Sequence, residues 1–146
     1  MFFTFTLEKV LEVKEREAAE RRKGYEEAAG TFESVGYELY QWLKARESLD
    51  DSQTQDCQKG TTIAALQSKQ LARTNIETAI EQSQAKTNAA RKTMVKRKKE
   101  WQTATIEAKK YEKMKGRKWE EHVREMKKQE QKHMDELASR QVLQGR

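Results

Sequence analysis

Proline is absent from all 146 residues, and cysteine occurs once. Without proline, nothing in the chain forces a helix to stop. The lone Cys57 excludes an internal disulfide and fits a reducing compartment; in its polar surroundings it reads as an ordinary thiol. Long apolar runs are also missing, since nothing approaches the ~18 residues that a membrane-spanning helix needs. The opening Met-Phe-Phe-Thr-Phe-Thr lacks a basic lead and soon reaches Glu8 and Lys9, which predicts no signal peptide. A soluble, cytoplasmic chain with no direct membrane insertion is expected.

The usual equipment of catalysis is equally scarce. There is no glycine-rich phosphate loop, no cysteine pair, and no histidine pair at the three- or four-residue spacing that metal ligation on a helix requires. His122 and His133 stand about three helical turns apart, too far to share a metal. His133 reads as a packing residue on an apolar stripe. Carboxylates are plentiful, but a solvated helical surface offers no cavity to shift their pKa values. The expectation is a protein without catalytic residues, cofactor or metal.

What the chain does have is a seven-residue repeat. Thr4, Leu11, Ala18, Tyr25, Phe32, Leu39 and Arg46 are spaced by seven, and so are Leu7, Lys14, Arg21, Ala28, Val35, Trp42 and Leu49. Ten of these fourteen positions are apolar in a chain that is 35% hydrophobic and 37% charged. Such spacing marks a helix that buries a narrow seam against another helix. A mean hydropathy of -1.11 also fits disorder, but disordered chains lack a sustained heptad. Gly24, Gly30 and Gly36 follow a spacing of six that fits no single helical face, and they read as local softness.

Residues 50–62 interrupt the repeat. They hold no large apolar side chain, begin with Asp50 and Asp51, and include Gly60; Thr61 or Thr62 is placed to cap a following helix. A second, less regular repeat follows. Leu66, Ile80, Met94, Trp101 and Ala108 share one heptad position, while Ile76, Ala90, Ala104 and Tyr111 share its partner. Arg73, Ser83, Thr87 and Arg97 interrupt this seam. After Tyr111 the phase slips, and Trp119, Val123, Met126, His133 and Leu137 form a new stripe.

These patterns predict an all-α protein: an antiparallel two-helix coiled-coil hairpin with a longer C-terminal helix. Residues 1–146 form one domain, with a helix over 4–49, a turn over 50–62 and a helix over 63–142. Pairing of residue 49 near residue 63 sets Leu7 opposite 105. The helices would measure roughly 70 Å and 120 Å at about 1.5 Å per residue, so the end of the second projects and needs another surface.

Charge is divided unevenly. Residues 63–118 hold fifteen basic and five acidic side chains, and no acidic residue occurs between Gln82 and Lys99. The basic stripe there includes Lys96, Arg97, Lys98 and Lys99. It has three readings: pairing with Glu15, Glu17, Glu20, Glu26 and Glu27 on the first helix, phosphate contacts with nucleic acid, or a membrane surface. Pairing leads, because no base-reading module or stacking platform accompanies the stripe, and Met94 with Val95 makes a meagre apolar face. Surplus positive charge would steer an acidic protein partner.

Three stretches resemble one family. Phe5-Thr-Leu-Glu-Lys-Val-Leu11 with Val13-Lys14-Glu15 resembles the opening of the flagellar FliJ family. Phe32-Glu-Ser-Val-Gly-Tyr-Glu-Leu-Tyr40 resembles the end of its first helix, and Glu130-Gln-Lys-His-Met-Asp-Glu-Leu-Ala-Ser-Arg-Gln141 resembles its C-terminal segment. The resemblance implies a non-enzymatic central stalk of the flagellar type III export apparatus, similar to the rotor stalk of rotary ATPases. Injectisome stalks are related to it. Implied partners are the hexameric export ATPase, the cytoplasmic domain of the export gate, and export chaperones, at the inner face of the cell membrane. By position, Leu39, Trp42, Ile76 and Ala79 align with gate-contacting residues, although Ala72, Ser83 and Arg46 depart from the ring side chains often found there. Phe5, Leu7, Val10 and Val13 fall near the end that enters the ATPase ring. The alternative is a basic coiled-coil scaffold that binds nucleic acid or another filament.

Overall fold

The computed structural model describes residues 2–145 and contains two helices, α1 (Glu8–Lys59) and α2 (Ile63–Gln144). They form an antiparallel coiled-coil hairpin, and no strand occurs among the described residues. Gly60 ends α1 with φ of 86°, a backbone conformation that costs a side-chain-bearing residue roughly 1–2 kcal/mol. Thr62 then caps α2: its Oγ1 accepts a hydrogen bond from the Ala65 amide at 3.2 Å, satisfying one of the donors that every helix start leaves free.

The interruption expected over residues 50–62 shrinks to residues 60–62, because α1 continues to Lys59. Tertiary pairing supplies what hydropathy could not. Arg73 forms an ion pair with Asp50 and donates to Gln53 Oε1 at 2.8 Å. Lys69 forms an ion pair with Asp56 and donates to Ser52 Oγ at 3.0 Å. A polar segment thus stays helical by pairing its polar side chains across the hairpin.

The packing falls into two compact units. One holds the opening segment through Ala19 together with Gln102 onward; the other holds Glu20–Trp101. In the Glu20–Trp101 unit, the stacked rings of Tyr25 and Trp101 lie 5.4 Å apart, Arg91 sits over the Phe32 ring, and Arg21 reaches Glu100 at 3.2 Å. Partner numbers in that unit add to between 121 and 126. In the other unit Glu8 meets Lys115 at 2.8 Å and Phe3 meets Trp119 at 5.2 Å, adding to 123 and 122. The expected register, with Leu7 opposite 105, is therefore displaced by about eleven residues. The connection centres near residue 61 rather than 56, since α1 is ten residues longer at this end.

Each unit has a thin core. Leu11 (3% exposed) and Ala108 are buried in the first, and Ala28, Ile80 (5%), Ser83 (3%) and Thr87 in the second. Every apolar heptad position of α1, and every apolar seam position named in α2, is buried or half-buried. Two details of the second repeat need correction. Ser83 and Thr87 do not interrupt the seam; they are among its best-covered members. Thr87 Oγ1 donates to the Ser83 carbonyl at 2.7 Å, which satisfies the hydroxyl without a partner across the seam. Nor does the phase slip after Tyr111: Lys115 and His122 keep the seven-residue spacing from Ala108 and stay half-buried, whereas Trp119 is 51% exposed. Lysine can hold such a position because its stem packs while its ammonium finds Glu8.

Candidate interaction surfaces

Among the described residues no group of three His, Cys, Asp or Glu side chains could hold a metal, and Cys57 is exposed. The hollows along the helices are open, such as the one lined by Trp119, Glu120, Val123 and Arg124. Four surfaces carry the candidate residues.

In the unit that contains both chain ends, Phe5, Leu7 and Val10 are half-buried, and Val13 is 47% exposed. The residues before α1 fold against α2, where Phe3 packs edge-on to Trp119 and lies 5.4 Å from the His122 ring. Edge-to-face rings of this kind contribute about 0.5–1.5 kcal/mol beyond area burial. The Lys115 ammonium donates to Glu8, and that hydrogen bond is the main cause of a pKa raised above its ordinary value of 10.5. The aromatic cluster was not anticipated: Phe3 lies outside the heptad, so periodicity gave no signal for it.

Farther along the same unit, α2 is uncovered. Every described residue from Arg124 onward is exposed, including Met134 (65%), Val142 (61%) and Leu143 (74%). Of the stripe expected here, Val123 is half-buried, while Met126, His133 and Leu137 are open to solvent.

In the Glu20–Trp101 unit, Leu39, Trp42, Ile76 and Ala79 are all half-buried. Between Leu39 and Lys44 the outward face instead shows Tyr40 (52% exposed), with the Lys44 ammonium 5.3 Å from its ring centroid; Tyr37 is 61% exposed one turn earlier. The two tyrosines lie 6.4 Å apart, ring to ring. Their places off the seam, two positions for Tyr37 and one for Tyr40, were legible in the spacing.

The basic stripe lies in the same unit. Lys96, Arg97, Lys98 and Lys99 are all exposed. Arg97 reaches Glu100 at 3.2 Å, the carboxylate that Arg21 also contacts, and its Cδ lies 3.8 Å from where a Cβ on Gly24 would stand. The pairing expected with Glu15, Glu17, Glu20, Glu26 and Glu27 is not formed: among the described residues no ion pair joins those glutamates to residues 96–99. Glu17 pairs with Lys14 and Glu26 with Arg22 on their own helix. The register shift explains part of this, since Glu15 now falls nearer 108 than 97.

An antiparallel helical hairpin with a thin seam in each unit and several exposed faces belongs to the class of coiled-coil interaction proteins. The family profile described as the flagellar FliJ protein matches residues 3–146, so the chain belongs to that family. It is similar to the flagellar FliJ protein of Bacillus subtilis (strain 168), 27% identical over 143 residues that cover 98% of this chain and 97% of that one. A solved structure of a YscO homologue from Chlamydia trachomatis is 19% identical, with a TM-score of 0.45 and coverage of 94% of both chains. Family membership makes the protein a component of flagellar type III export. None of its described helices is long and apolar enough to cross a membrane.

Proposed function

We propose that this protein is the non-enzymatic central stalk of the export apparatus, at the inner face of the cell membrane. The unit that contains both chain ends enters the hexameric export ATPase. Phe5, Leu7, Val10 and Val13 belong to the end that the ring receives. The observation that carries this reading is the uncovered end of α2, which keeps Met134, Leu137, Val142 and Leu143 exposed in a chain with few large apolar side chains to spare. An amphipathic helix left without a partner gains by burying that face in another protein.

Leu39, Trp42, Ile76 and Ala79, toward the connection, serve the export gate. Their partial exposure supports a double role, packing along one edge and contacting the gate along the other. Export chaperones use the stalk as an escort. The mechanism is differential affinity. An asymmetric helical stalk in a ring favours nucleotide closure in the subunit it touches best, and no bond is made or broken on the stalk itself.

The test is hydrolysis by the cognate export ATPase titrated with this chain. Stimulation that saturates, and that falls when Leu137 and Val142 are changed to serine, is expected. Unchanged hydrolysis and unchanged hexamer formation at saturating chain would refute the proposal. For the gate, Trp42→Ala should weaken binding of the gate's cytoplasmic domain while helicity stays near wild type. A collapse of helicity would assign Trp42 to the seam alone.

A further inference from the structure

Three lysines of the basic stripe, unlike Arg97, have no structural employment within their own unit. Lys92, Lys96 and Lys99 are spaced four and three residues apart, are all exposed, and lie on the side of α2 opposite the seam residues Thr87, Ala90 and Met94. Among the described residues none of the three has an ion-pair or hydrogen-bond partner. Like charges three or four residues apart on a helix repel one another. The arrangement therefore works against the helix that carries it, and departures of this sort gather where a partner compensates for them.

We infer that Lys92, Lys96 and Lys99 form a docking stripe for an acidic helical face of a partner protein. The three ammonium groups run along about 10 Å of one helix, a spacing that carboxylates three and four residues apart on a facing helix can match. Flanking charges use this geometry to choose partner and orientation in coiled coils. The chemistry disfavours the other polyanions. Among the described residues the only exposed large apolar side chain beside the stripe is Val95 (45%), too little to anchor in a bilayer. Residues 82–99 hold no aromatic side chain on which a base could stack. Lysines act as point charges rather than bidentate forks, so the stripe steers and orients a partner more than it grips one.

The inference is tested with the full chain at near-physiological salt. The probe is a labelled helical peptide with glutamates at four- and three-residue spacing, compared with a peptide of equal charge and altered spacing. Lys92→Glu/Lys96→Glu/Lys99→Glu should weaken binding of the matched peptide by about tenfold or more. A control with the same charge change at dispersed exposed lysines, Lys23→Glu/Lys44→Glu/Lys59→Glu, should weaken it less than about threefold. Glutamine replacements at the stripe, with helicity measured alongside, separate lost docking from lost folding. Equal losses in stripe and control, or no preference between the two peptides, would overturn the inference. So would tighter, stripe-dependent binding to duplex DNA or to anionic phosphatidylglycerol vesicles.

Discussion

Leu11 offers the sharpest test of the seam. It is 3% exposed, whereas Val13, two residues later on the same helix, is 47% exposed. Leu11→Ala removes three carbon atoms from a covered site, and at about 0.8 kcal/mol per buried methylene the transfer loss is ~2.4 kcal/mol. Two packed helices collapse around a gap more readily than a deep core does, so little cavity cost is added. Val13→Ala removes two carbons that are half in water, worth ~0.8 kcal/mol by the same rule. Urea unfolding followed by helical circular dichroism should therefore show Leu11→Ala costing about three times as much as Val13→Ala. Equal losses, or a larger loss for Val13, would mean that α1 presents another face to α2 and would refute the seam assignment.

Other expectations follow from particular residues. Gly30 and Gly36 are helical, and an added Cβ at either meets nothing within 4 Å, so alanine at each should stabilise by roughly 0.5–1 kcal/mol, read as a higher melting temperature. Gly60→Ala should instead destabilise by about 1 kcal/mol or more, because the positive φ at the connection strains any side chain. Arg73→Met leaves Asp50 and Gln53 without their cross-hairpin partner. Hydrogen exchange should accelerate in α1 beyond Asp50 while Leu11 to Ala28 stay protected. The Lys115 pKa is raised chiefly by its hydrogen bond to Glu8. Its contribution is present in full below the unfolded value and is lost as pH rises through the folded one. Glu8→Gln should flatten that alkaline loss and lower the pKa measured by NMR at the Lys115 side chain; an unchanged pKa would remove Glu8 as its cause. Being only half-buried, this pair should also weaken with salt.

Much of the seam was legible because the heptad is a local property of the sequence. Leu11, Ala28, Ile80 and Ala108 stand where the repeat puts them, and they are buried. Polar seam members were misread for a physical reason. Thr87 satisfies its hydroxyl on its own helix, and Arg73 answers an acid across the hairpin. A pattern that scores polarity alone treats both as breaks. The candidate gate residues were legible as seam positions, and Tyr37 and Tyr40 as positions off it, but only the structure sets the two rings together beside Lys44.

The sequence by itself determined that this chain is helical, that it folds back once, and which stripe α1 and the first part of α2 turn inward. Those properties depend on the absence of proline and on periodicity, and both act over a few residues. Register was decided only in the tertiary structure. A heptad matches its partner nearly as well after a slide of seven residues, so apolar spacing leaves the pairing degenerate. The degeneracy is broken by Asp50 with Arg73, Asp56 with Lys69 and Glu8 with Lys115. Such pairs exist only when distant residues meet, which is also why Lys96, Lys98 and Lys99 of the basic stripe, expected to be paired with α1, face solvent instead.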